Sequence, residues 1–79
     1  MPRGQSNLHT ARYKRFLVRL IRARKEAGLS QVDVAAKLRK TQTWLSKAER
    51  GERRLDPVEL EDLADVYGVS MDFFRSKKR

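Results

Sequence analysis

Gln42, Thr43, Ser46, Lys47 and Arg50 recur at three- and four-residue intervals, the spacing of one helix face. Each carries an amide, a hydroxyl or a cationic nitrogen, and none carries a carboxylate. Such a face offers hydrogen-bond donors and amphoteric groups. That chemistry matches the edges of nucleic-acid bases and the oxygens of phosphates. An ordinary wet helix face is the alternative, but those faces commonly mix in acids. Around this stretch stand Gln31, Lys40, Arg53 and Arg54, with Trp44 inside it. All five are candidates for holding a phosphate backbone.

Charge points the same way. The 79 residues carry 19 Lys and Arg against 10 Asp and Glu, a formal net charge of +9. Residues 1–25 hold eight bases and no acid, 26–50 hold five and three, and 51–79 hold six and seven. A polyanion approached from one side, with an acidic region held elsewhere, is the partner this distribution implies. No cysteine is present, so disulfides and thiolate metal sites are excluded, and the single histidine, His9, has no histidine partner. No cofactor or metal is expected. No apolar run approaches the roughly 20 residues of a membrane span, and no signal-peptide core is visible. A cytoplasmic setting is expected.

The elements that position these residues follow from periodicity and punctuation. Residues 1–10 are polar, with Pro2 and Gly4, and read as a mobile basic arm. Arg3 can enter a minor groove from such an arm, or the arm has no role. Apolar residues at 13, 16, 17, 20 and 21 predict a first helix, ended by Gly28. Ser30 and Asp33 predict a capping box for a second helix burying Val34, Ala35 and Leu38. Thr41 can cap a third helix over about 42–50, with Leu45 and Ala48 inward and Gly51 as the stop. Asp56, Pro57 and Glu59 mark a fourth start, whose stripe is Leu60, Leu63, Ala64 and Tyr67, and Gly68 ends it. Ser70 opens a fifth short helix with Met71, Phe73 and Phe74, before a basic tail over 76–79. No segment alternates as a strand does. An all-α domain over 11–75 is predicted. The short link between the second and third helices makes them cross steeply on the first.

The stretch GLSQVDVAAKLRKTQTWLSKAERGERRLD resembles the phage-repressor-like helix-turn-helix family, the Cro or XRE type. The parts that match are Leu29-Ser30-Gln31, Ala35, Leu38, Leu45-Ser46, Glu49, Gly51 and the closing Gly68-Val69-Ser70 before two phenylalanines. The resemblance covers about residues 16–74. It implies a compact five-helix, lambda-repressor-like domain whose third helix enters the major groove of double-stranded DNA, usually as a homodimer on a two-fold site. Arg39 and Lys40 stand where the family usually has glycine and an apolar residue. An arginine there either tolerates a left-handed backbone, costing roughly 1 kcal/mol, or reshapes the turn.

On this basis Gln42, Thr43, Ser46 and Lys47 are expected at bases, Gln42 with an adenine edge and Thr43 with a thymine methyl or a phosphate. Ser46 suits packing or a phosphate better than a base. Gln31, Lys40, Trp44, Arg50, Arg53 and Arg54 are expected along phosphates. For Trp44 the competing expectation is packing at the edge of the core, and for the arginines it is solvated loop charge. The resemblance implies that Arg24 and Glu49 form a structural ion pair between the first and third helices. Tyr67, Met71, Phe73 and Phe74 are the expected dimer seam, or plain core closure.

A sequence-specific, repressor-like transcriptional regulator is the expected function. An antitoxin-like module, with another protein as main partner, is the alternative. An enzyme is not expected, for no phosphate loop, ligand cluster or nucleophile–base pair is recognisable. Residues 12–25 are cationic and amphipathic enough to lie on a membrane, but their apolar stripe is needed for the core.

Overall fold

The computed structural model describes residues 10–75; the arm with Arg3 and His9, and the tail over 76–79, lie outside them. Among the described residues there is no strand, and four α-helices follow one another: α1 (Ala11–Glu26), α2 (Gln31–Leu38), α3 (Gln42–Glu49) and α4 (Pro57–Tyr67). The expected fifth helix is a single 3-10 turn, Met71–Phe74. Ser70 makes no side-chain cap bond there, and four residues are too few to close an α-helical ladder.

Local chemistry accounts for the starts. Thr10, assigned to the arm by composition, caps α1 by accepting a hydrogen bond from the Tyr13 N–H at 3.0 Å. Ser30 and Asp33 form a reciprocal capping box on α2, with both bonds at 3.0 Å. Those bonds from Ser30 also hold the Asp33 carboxyl below its ordinary pKa. Thr41 caps α3 through the Trp44 N–H. Asp56 and Glu59 box the start of α4, with Pro57 in its first turn.

The turn between α2 and α3 takes the first of the two forms open to it. Arg39 adopts the left-handed conformation, φ 59° and ψ 40°, and is the one non-glycine with positive φ among the described residues. In that conformation the Lys40 N–H reaches the Ala35 carbonyl at 2.9 Å, closing the helix end. Arg39→Gly removes the steric cost of that backbone. It is expected to raise stability by about 1 kcal/mol, read as a higher denaturant midpoint at unchanged slope.

The core is where the four helices and the turn converge. Leu20, Val34, Leu45 and Leu63 are fully buried, one from each helix, with Phe74 closing the base. Leu17, Ala23, Ala35, Ala48, Ala64 and Tyr67 complete the buried apolar set. α3 therefore buries Leu45, Ala48 and Glu49, half-buries Trp44 and Ser46, and turns Gln42, Thr43 and Lys47 outward. No helix among the described residues is long and apolar enough to cross a membrane.

Candidate nucleic-acid interface

α3 is fixed to the rest of the domain by a buried ion pair. Arg24 on α1 donates from Nε to Glu49 Oε2 at 2.7 Å and from Nη2 to Glu49 Oε1 at 3.1 Å. Its Nη1 donates to the Leu29 carbonyl at 3.0 Å, tying in the α1–α2 connection. Side-chain exposure is 11% for Arg24 and 4% for Glu49. The hydrogen bond to Glu49 is the largest cause of a raised Arg24 pKa, with the charge of Glu49 adding to it. Tyr67 lies close enough to feel the pair, and burial pushes its phenol well above the ordinary tyrosine range.

From Glu49 a relay of amides runs to the surface. Gln31 Nε2 donates to Glu49 Oε1 at 2.9 Å, and Gln42 Nε2 donates to Gln31 Oε1 at 3.1 Å. A carboxylate can only accept, so Gln31 must turn its NH2 group toward Glu49 and its oxygen toward Gln42. That orients Gln42 in turn. Gln42 is exposed, and that bond does not use its second N–H or its carbonyl oxygen, the donor and acceptor that an adenine edge requires.

The exposed arc of α3 holds Gln42, Thr43 and Lys47, with Ser46 half-buried. Arg50 follows as the C-cap residue. Its guanidinium is engaged: Nε and Nη2 bond the Glu52 carboxylate at 3.0 and 3.1 Å, and Nη1 donates to Ser46 Oγ at 2.6 Å. The pairing raises the Arg50 pKa and lowers that of Glu52. The backbone places Glu52 there, since its N–H closes α3 onto the Lys47 carbonyl at 2.8 Å behind left-handed Gly51.

A second cluster flanks the arc. Lys40 Nζ lies 5.1 Å from the centroid of the Trp44 ring and Arg53 Cζ lies 5.6 Å from it. Both cations also face Glu59 Oε2, at 4.0 and 3.7 Å. Trp44 is half-buried and packs against the core, so its ring supports the two cations rather than standing free on the surface. Its Nε1 and Arg53 Nη1 are buried without a hydrogen-bond partner among the described residues. Arg54 is exposed.

Several of the expected site residues have partners within the chain. The amide of Gln31, expected at a phosphate, bonds Glu49 through its Nε2 and accepts from Gln42 at its Oε1. Lys40, Arg50 and Arg53 each have a carboxylate partner within the chain. Of the expected dimer seam, Tyr67 and Phe74 belong to the core at 6% and 2% exposure, because α4 and the turn need them to close it. Met71 remains exposed and Phe73 half-buried. Residue types alone do not flag Glu52 or Glu59 as partners of basic residues. Glu59 is legible in the sequence only as a capping residue.

A helix-turn-helix family model matches residues 20–74, which spans every element described except the first turns of α1. An uncharacterized HTH-type transcriptional regulator, y4dJ of Sinorhizobium fredii (strain NBRC 101917 / NGR234), is 43% identical over 49 residues. The match covers 62% of this chain and 64% of that protein. No solved structure matches the chain significantly. The capped α2, the left-handed turn at Arg39 and the braced α3 are the physical content of that match: the chain belongs to the helix-turn-helix family of the XRE, or Cro-like, type.

Proposed function

We propose that the protein is a sequence-specific, double-stranded DNA-binding transcriptional regulator, repressor-like in acting by occupying its site, with α3 in the major groove. The observation that carries this is the relay Arg24–Glu49–Gln31–Gln42, which presents an oriented amide on an acid-free helix face. A surface amide with no reading task has no need of orientation from a buried ion pair. The family match and the name of the relative support the same reading.

In this reading Gln42, Thr43 and Lys47 meet base edges, and Ser46 steadies Arg50. Arg54, Lys40, Arg53 and Arg50 neutralise phosphates, the last three by leaving carboxylates they now face. Trp44 backs Lys40 and Arg53. A single α3 covers few base pairs, so two copies on a two-fold site are proposed, joined near Met71 and Phe73.

The test is a salt series on random and selected duplexes. Parent protein binds both, with log K falling linearly in log salt and a selected duplex held tighter by at least about a thousandfold. Arg54→Ala weakens both duplexes alike and flattens the slope by about 0.9, one phosphate contact. Equal affinity of the parent for selected and random duplexes contradicts the reading.

A further inference from the structure

Glu59 carries a property that a helix cap does not require. Its Oε1 accepts the Asp56 N–H at 3.0 Å and completes the capping box. Its other oxygen, Oε2, faces Lys40 Nζ and Arg53 Nη1 at 4.0 and 3.7 Å. Both distances exceed hydrogen-bond reach. The cations are therefore held by charge and by the Trp44 ring beneath them, not by directed bonds. Arg53 Nη1, the atom that faces this oxygen, is buried and makes no hydrogen bond among the described residues. The cations also come from two sides of α3, Lys40 from the turn before it and Arg53 from the loop after it.

We infer that Glu59 is a specificity-determining residue that stands in for a DNA phosphate, holding Lys40 and Arg53 neutralised until a phosphate displaces it. The inference rests on the DNA-binding reading above and adds a regulator of its electrostatics. Exchange costs no directed bond at Oε2, and a backbone phosphate, with the same single charge as the carboxylate it replaces, can come within hydrogen-bond reach of both cations where Glu59, tied to its cap, does not. A misplaced duplex cannot make the exchange, and for it the two cations contribute little. The residue thus lowers non-specific affinity, which is almost wholly electrostatic, and leaves the specific complex its full set of contacts.

The test compares the parent with Glu59→Gln and with Glu61→Gln. Glutamine retains the capping box, which accepts either residue. Glu61 is exposed on the same helix and controls for net charge. On random duplex, Glu59→Gln is expected to steepen the salt slope by about 0.9, which is about a 3.5-fold larger loss of affinity between 50 and 200 mM salt. Glu61→Gln leaves the slope as in the parent.

A second readout needs no DNA. The chain has a single tryptophan, so its indole N–H gives one NMR resonance at the site. Inorganic phosphate, titrated at constant ionic strength, is expected to move it in Glu59→Gln at several-fold lower concentration than in the parent. Lys40→Gln in the parent background weakens that response. If the resonance behaves this way and the parent binds no duplex, the anion exchange stands and the DNA reading falls. Equal phosphate midpoints in the parent and Glu59→Gln overturn the inference, however tightly the parent binds DNA. Equal salt slopes for Glu59→Gln and Glu61→Gln overturn it as well.

Discussion

Glu49→Ala is expected to destabilise the domain by about 3–5 kcal/mol, the cost of removing one partner of a buried ion pair. The size follows from what the carboxylate holds. Without it, Arg24 loses two hydrogen bonds and Gln31 loses one, all in a part-buried setting. Domains of this size have total stability near the low end of about 5–15 kcal/mol. The variant should therefore unfold partly near 25 °C, seen as a lost helical CD signal or a collapsed denaturant midpoint. A double variant separates stability from positioning. Arg24→Met combined with Glu49→Leu replaces both charges by apolar groups of similar length, and such replacements are often neutral in stability. This protein is expected to fold and yet to read DNA poorly, because Gln31 no longer has a fixed acceptor to orient it. Recovered stability with parental discrimination would remove the relay from the DNA-reading mechanism.

Gln42→Ala is expected to lower discrimination at one base pair of each half-site by about 1–3 kcal/mol, roughly a five- to 150-fold loss. Affinity for random duplex should scarcely change, since this side chain carries no charge. The expected preference is for adenine, because the relay leaves Gln42 its carbonyl oxygen and one N–H in a fixed order. Gln31→Ala should act in the same direction with a smaller effect, as it frees the Gln42 amide to flip without deleting it. The comparison is made with duplexes substituted one base pair at a time. A uniform loss over all positions would make Gln42 a packing residue instead of a reader.

Much of the domain is legible because its signals are local. Ser30 with Asp33, and Asp56 with Pro57 and Glu59, announce their helices within four residues, and each cap forms as those residues require. Gly28, Gly51 and Gly68 sit at positive φ where helices end. The buried stripe of α4 through Leu63, Ala64 and Tyr67 follows from period alone. Legibility fails where the outcome depends on tertiary approach. Arg39 leaves two backbone solutions open in the sequence, and the folded chain takes the left-handed one. The pairing of Lys40 and Arg53 with Glu59 joins segments that meet only in the folded chain. So does the contact of Gln31 with Glu49. Tyr67 and Phe74 read equally well as seam or core, because an apolar stripe does not say how wide the core is. The 3-10 turn escapes notice for another reason: a cap residue and three apolar side chains suit either helix type, and length alone decides between them.

That α3 reads base sequence is the central claim, and it is tested most directly by selecting bound duplexes from a random pool. Parent and Gln42→Ala are carried through side by side at fixed salt. One enriched motif is expected for the parent, with two related half-sites about one helical turn apart. Gln42→Ala is expected to keep that motif but lose its preference at a single adenine position in each half. A parent pool that stays random, while binding remains tight and salt-sensitive, would contradict the claim: the basic surface would then be gripping phosphates without reading sequence.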